Sequence, residues 1–250
     1  MKQLYVARSK IHYKDNHDVV AIIENNVLDV YGAYNIQKGD IVVDIGAGIG
    51  EFSIIASKLV GAEGNVIAIE PSPDDFETLL LNLEENGCKN VIPLSVGVSD
   101  RAKTIEIKFK GRNFRSETDS LDHILDNLRV ERSRLKFMKM DVEGAEASII
   151  PSSIEIVKSL DYLAMEMHDG NHAIIIPLLH NLGFRFERVS RKQYLLNAMK
   201  FSMKHPVQSC RIFIAFSRSG EWPGTRKVLT GIEIARSRDL VVGIFKKIQV

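Results

Sequence analysis

Three glycines, Gly46, Gly48 and Gly50, follow an apolar run at residues 41–45 that itself contains Asp44. Glycines at this spacing let the backbone bend sharply and approach a ligand closely. A dinucleotide-binding loop of the G-x-G-x-x-G kind needs another glycine at position 51, where this chain has Glu51. A carboxylate there repels a pyrophosphate at close range, which disfavours a dehydrogenase. Further along, titratable groups close other apolar runs: Glu70 after "NVIAI", Asp141 and Glu143 after "RLKFMKM", and His168 after "DYLAMEM".

The elements that must position these groups alternate regularly. "IVVDIGAG" reads as a buried strand entering the glycine turn, and "EFSIIASKLV" as the helix after it. "NVIAIE" is a strand. "PSPDDFETLLLNLEENG" is a helix in which Ser72 caps, Pro73 takes the first position, Asp74 and Asp75 suit the positive dipole end, and Gly87 stops the turn. "NVIPLSVGVS" is a third strand, "KTIEIKF" a short additional one, and "TDSLDHILDNL" a helix. "RLKFMKMD" and "DYLAMEMH" give strands four and five, with "EGAEASII" helical between them. "NHAIIIPLLHNLG" is helical, and "FRFERVS" and "RIFIAFS" are expected as a last, antiparallel strand pair at one edge. Strands alternating with helices predict an α/β fold, a mostly parallel sheet with helices on both faces. Ligands in such sheets lie beyond the carboxyl ends of the strands. The residues to inspect are therefore Asp44 with Gly46, Ala47, Gly48 and Gly50, then Glu70 with Pro71, the Ser95–Val98 segment, Asp141 with Glu143, and His168.

Glu70 lies 20 residues beyond Gly50, where a carboxylate can accept hydrogen bonds from both hydroxyls of an adenosyl ribose. A nucleoside without a phosphate bridge fits this pair. S-adenosylmethionine qualifies, its zwitterionic tail meeting exposed N–H groups and an acid such as Asp44. In order, "GDIVVDIGAGIGEFS", "VIAIEPSP", "VGVSD", "TDSLDHIL", "KMDVEGAEASII" and "MEMH" resemble the FkbM family of S-adenosylmethionine-dependent methyltransferases, from about Lys38 to about Ser190. The run Asp141–Glu146 is the specific part. The resemblance implies a Rossmann-like sheet of seven strands with an antiparallel edge strand, and methylation of a hydroxyl on a sugar or sugar-containing molecule. It assigns Asp44, Gly46, Gly48 and Glu70 to the cofactor and Asp141 to the floor of the active site.

An alcohol needs a base as the new bond forms. His168 is one candidate, since a free imidazole is partly neutral at pH 7; Asp141 is another, or it binds the cofactor's ammonium. Glu143 and Glu146 suit the start of the following helix. Asp141, Glu143 and His168 form a set that can hold a divalent metal, but nothing in the spacing demands one, and none is expected.

The wider composition is that of a globular chain: 250 residues, 45% apolar, 26% charged, net charge +1. Cys88 and Cys210 have no metal-spaced partners, which points to a reducing, cytoplasmic setting. The polar start "MKQLYVARSKIHYKDNHD" is no secretory signal, and no membrane span is expected. Val20, Ile23, Val27, Val30 and Tyr34 predict a helical extension over residues 1–37, roofing the methyltransferase domain at 38–217. A C-terminal extension follows at 218–250. There "DLVVGIFKKIQV" puts Leu240, Ile244 and Ile248 on one helical face, to cover a sheet edge or a partner subunit in a homodimer.

Two segments are basic. Arg185, Arg188, Arg191, Lys192, Lys200, Lys204 and Arg211 surround one acid, Glu187, and "KFKGRNFR" spans Lys108–Arg115. They suit a phosphate-bearing acceptor such as a nucleotide sugar, a lipid-linked sugar or RNA, or else form a solvated face. An RNA methyltransferase and a non-catalytic cofactor-binding domain are the alternatives to an O-methyltransferase. Against amino-directed base methylation, "DVEG" stands where an Asn/Asp-Pro-Pro-aromatic run is usual.

Overall fold

The chain opens with a strand pair where the helical preface was expected. In the computed structural model, which describes residues 1–188, 190–218 and 241–248, β1 (Lys2–Val6) and β2 (Ser9–Tyr13) pair antiparallel. Ala7 and Arg8 join them, both at positive φ (45° and 68°), as a two-residue turn of matching twist requires. Leu4, Val6, Ile11 and Tyr13 alternate inward and are buried. The helix comes next: α1 (Asn16–Ile23), started by a capping box between Asp15 and Asp18 and continued as a π-helical turn over Glu24–Leu28.

From there the expected alternation holds. β3 (Ile41–Ile45), α2 (Glu51–Val60), β4 (Asn65–Ile69) and α3 (Pro73–Glu85) follow in order. Ser72 caps α3 and Gly87 follows it at positive φ, as the sequence indicates. The third strand is split into β5 (Val91–Leu94) and β6 (Gly97–Ser99). β7 (Lys103–Phe109) and β8 (Arg112–Ser120) form a hairpin, and α4 (Leu121–Asn127) follows. β9 (Leu135–Met140), α5 (Glu146–Ser152), α6 (Ile154–Ser159), β10 (Tyr162–Met167), α7 (His172–Asn181) and β11 (Phe184–Glu187) extend the series.

The C-terminal part departs from expectation twice. "RIFIAFS" is not a strand: it lies in α9 (Pro206–Arg218), which follows α8 (Arg191–Lys204). The tail is not a helix: Val241–Lys247 forms β12, while Leu240 lies outside the described residues. β12 runs antiparallel between β10 and β11, so the antiparallel strand sits one place in from the edge. It is an interior strand of the sheet, between β11 and β10. Gly243 faces Phe186 in β11, whose ring packs 5.0 Å from Phe245; a side chain at 243 would collide with it.

The central sheet is β11-β12-β10-β9-β3-β4-β5, parallel apart from β12. Strand order reverses between β3 and β9, which opens a crevice at their carboxyl ends. Val42, Val66, Phe137 and Ala164 pack on one face with α1, α2 and α3. Val43, Ile67, Met138 and Leu163 pack on the other with α4–α7. Among the described residues no helix is long and apolar enough to cross a membrane.

A second sheet, β6-β8-β7, carries the hairpin over the crevice. Its tip holds the basic stretch, and much of that charge is already matched. Lys110 reaches Asp18 at 2.6 Å and Asp75 at 3.0 Å, and Arg112 pairs with Asp74. Asp18 and Asp75 are 2% and 4% exposed. Lys110 therefore latches the hairpin to α1 and α3 at once. Lys110→Ala strands two buried carboxylates and is expected to cost about 3 kcal/mol or more in urea unfolding, whereas Arg112→Ala, at an exposed pair, costs less than about 1 kcal/mol.

Candidate active site

A cavity of about 350 Å³ opens at the strand-order reversal. Gly46, Gly48, Glu70, Pro71, Val98 and Asp141 border it, as do Glu51, Gly97 and Glu143. The roof comes from His17 and Ala21 on α1 and from Phe109 and Phe114 on the hairpin. Phe109 meets the His17 ring edge-on at 5.6 Å.

The glycine turn is shaped by its neighbour. Gly46 sits at φ 74°, and a methyl group on it would run into the Asp141 carbonyl oxygen. The Gly46 and Ala47 N–H groups donate to Ile69 O, and Asp141 N–H to Ile45 O, so β3, β4 and β9 are tied together where they end. Glu70 continues this lacing. Its Oε2 accepts from Gly48 N at 2.8 Å and its Oε1 from Ser72 N at 2.7 Å. Burial pushes its carboxyl up to about 7 against these two hydrogen bonds.

Other expected residues lie elsewhere. Asp44 is fully buried beneath the turn; Ser53 Oγ donates to its Oδ2 at 2.6 Å, and Lys139 Nζ forms an ion pair with its Oδ1 at 3.2 Å. It does not border the cavity, because its charge is spent on Lys139. Ala47 is also sealed, and Gly50 starts α2 with its Cα hydrogens against Leu79. Ser95 is exposed and stands away from the cavity.

Beyond Asp141 the strand ends carry a second polar group. The buried Tyr31 hydroxyl lies 3.0 Å from Asp141 Oδ2 and 3.1 Å from Glu166 Oε2. One hydroxyl hydrogen serves only one carboxylate, so the other contact needs a proton on an acid. Glu166 supplies it: burial, reinforced by the charges of Asp141 and Glu24, holds its carboxyl well above the usual range. Glu24, from the π-helical turn, is pushed up to about 8 by burial and by Asp141. Tyr194 on α8 closes this side, its hydroxyl raised to about 12 chiefly by burial. Asn197 ties α8 to the same turn by donating to Leu28 O at 2.7 Å. Lys192, Lys200, Lys204 and Arg211 are exposed, as on a solvated face.

His168 is held by acids. Its Nδ1 lies 2.8 Å from Glu146 Oε1, and its Nε2 lies 3.5 Å from Glu143 and 3.7 Å from Glu166. Burial alone would lower its pKa, but the Glu146 hydrogen bond and the charges of Glu166, Asp141 and Glu143 outweigh it and lift it to about 9. The surrounding acids thus favour the protonated ring, where the sequence reading had a partly neutral imidazole. Asp141, Glu143 and His168 do converge, with their polar atoms within 4.8 Å of one another, and the imidazolium supplies positive charge among them. Glu146 binds Gly144 N and Asn171 Nδ2 as well as His168, so it fixes the strand-to-helix bend.

Sequence reasoning missed Lys139, Glu166, Tyr31 and Glu24. Lys139 and Glu166 carried a signal: each is a charge inside an otherwise apolar, doubly covered strand, "RLKFMKM" and "YLAMEM". Tyr31 and Glu24 lie outside the strand-end pattern and gave none.

Glu24, Glu51 and Glu70, at about 8, 8 and 7, and His168 at about 9 all hold protons more tightly in the folded chain than in the unfolded one. Their contribution is greatest below the unfolded values and is lost as pH rises through the folded ones. Without ligand, stability should fall from about pH 5 to about pH 9. Glu24→Gln should make that fall shallower by up to about 1 kcal/mol per pH unit between pH 5 and 8, read by urea titration. Gly46→Ala, needing both positive φ and displacement of Asp141, should cost about 2–4 kcal/mol at any pH.

The sequence profile described as Methyltransferase FkbM domain matches residues 44–186. The hexuronic acid methyltransferase AglP of Haloferax volcanii is 27% identical over 146 residues, 54% of this chain and 58% of that protein. A protein-L-isoaspartate O-methyltransferase of Aeropyrum pernix is 39% identical over 61 residues, 24% of each. The chain thus spans just over half of the first relative and a quarter of the second. Among solved structures, an S-adenosylmethionine-dependent O-methyltransferase from Thermotoga maritima is 19% identical with a TM-score of 0.42, covering 72% of this chain and 54% of that one. A precorrin-6y C5,15-methyltransferase from Geobacter metallireducens is 18% identical with a TM-score of 0.43, covering 64% and 72%. With the profile matched over more than half of the chain, from Asp44 at the glycine turn to Phe186 in β11, the chain belongs to the FkbM family of S-adenosylmethionine-dependent methyltransferases.

Proposed function

We propose that the protein methylates a hydroxyl group on a sugar or a related small molecule, with Asp141 as the base. The observation that carries this reading is the position of Asp141. It borders the cavity at the end of β9, and Tyr31 fixes its carboxylate from behind. The cofactor supplies a methyl group on a sulfonium, already a good electrophile. The cavity residues Glu70, Pro71, Val98, Gly46 and Gly48 would hold it, and they suit it: Glu70 offers a carboxylate to ribose hydroxyls, and the glycines leave the backbone bare.

The protein's task is to orient the acceptor oxygen and take its proton. Asp141 accepts that proton as the bond forms. His168, being protonated, donates to an acceptor oxygen and steadies the charges of Glu143 and Glu146. The sugar specificity named for the Haloferax relative supports the same class of acceptor. The RNA alternative loses support because Lys110 and Arg112 at the hairpin tip are paired with Asp18, Asp75 and Asp74.

Incubating radiolabelled methyl donor with separate pools of sugars, glycolipids and RNA tests the acceptor class. Label is expected in the sugar-containing pools, and label confined to RNA overturns the proposal. With an identified acceptor, Asp141→Asn should lower kcat by about 10²–10⁴-fold. His168→Asn should act more on the acceptor KM than on kcat.

A further inference from the structure

Glu51, which replaces the third glycine of a dinucleotide loop, has an unusual environment. Its side chain is 5% exposed yet borders the cavity. Oε1 accepts a long hydrogen bond from Asn25 Nδ2 at 3.4 Å, whereas Oε2 has no hydrogen-bond partner among the described residues. Both oxygens face the turn: a methyl group on Gly48 would rest 3.7 Å and 3.8 Å from them. The charged groups around it are Lys139 from β9, Asp44 from β3 and Asp18 from α1. Lys139 is already bound to Asp44 and to the Gly46 carbonyl oxygen. A buried, unpaired carboxylate oxygen at the wall of a cavity is a site waiting for a donor.

We infer that Glu51 receives the α-ammonium of S-adenosylmethionine, the part that sequence reasoning offered to Asp44. This assignment rests on the reading of the cavity as the cofactor site. Each acid has one carboxylate oxygen without a hydrogen bond, but Asp44 lies sealed away from the cavity with Lys139 Nζ 3.2 Å from that oxygen, whereas Glu51 borders the cavity. The shift in protonation agrees. Burial raises the Glu51 carboxyl to about 8 despite Lys139, so a proton is favoured there. An arriving ammonium replaces that proton as the source of positive charge. Glu51 then anchors the amino-acid end of the cofactor. Asp141 is left free for the acceptor.

Calorimetric binding of S-adenosylhomocysteine, and of the analogue in which hydrogen replaces its α-amine, tests the assignment without any methyl transfer. The wild-type protein should bind the amine-bearing compound at least tenfold more tightly. Glu51→Gln, which copies the shape of the protonated acid, should weaken that compound about tenfold and change the deaminated one less than threefold. The inference is overturned if the amine preference survives intact in Glu51→Gln. It is equally overturned, with no variant needed, if the wild-type protein binds both compounds alike. Failure of S-adenosylhomocysteine itself to bind is a different result, which overturns the reading of the cavity and this assignment with it.

Discussion

One buried lysine makes the rest of the site affordable. Parallel strands deliver their last side chains to a common edge, and here that edge receives Asp44, Asp141 and Glu166, with Glu24 and Glu51 brought in from helices. Such crowding of carboxylates in a region of low polarity is costly unless charge is balanced. Lys139 balances part of it from below. It stays charged although burial opposes this, because Asp44, Asp141 and Glu51 together outweigh the loss of solvent. Its ammonium also holds the Gly46 carbonyl and lies 5.3 Å from the Tyr31 ring centre. One side chain thereby sets the turn, the tyrosine and the local charge.

The remaining imbalance is resolved by protons. Glu24, Glu51 and Glu166 all keep theirs more tightly than free carboxyls do, and His168 gains one. These groups belong to different segments: the π-helical turn, the start of α2, the end of β10 and the loop after it. The matched methyltransferase domain therefore accounts for only part of the pocket. His17, Asp18 and Ala21 precede it, and Lys110 staples the roof across three elements. The preceding helix α1 adds its own side chains to the cavity wall.

Much of this arrangement was legible in the residues themselves. Doubly covered strands announce themselves as apolar runs, and the group that closes each run marks the functional edge. Ser72, Pro73 and Gly87 bounded a helix correctly because each has a local reason to be there. The failures share a physical origin. In "KQLYVARSKIHY" the turn uses Ala7 and Arg8 at positive φ, without the glycine or asparagine that normally betrays it. "DLVVGIFKKIQV" satisfies both periods, since a strand buried on both faces shows no alternation; Gly243, a poor helix residue, was the overlooked clue. "RIFIAFS" alternates like a strand, yet Pro206 opens a helix there and Ile212 packs into the core beside Phe201. A one-dimensional pattern does not reveal that Asp44 is sealed against Lys139, 95 residues away.

The position of β12 has a consequence for how the fold is reached. β11 touches the sheet through β12, a strand separated from it in the chain by more than 50 residues. During synthesis β11 must therefore wait, made but unattached, until Val241–Lys247 has emerged. Closing that long loop is entropically slow compared with docking the earlier strand–helix units. The edge beside β10 stays open meanwhile, so a nascent or truncated chain lacking Val241–Lys247 exposes a raw β-edge to aggregation.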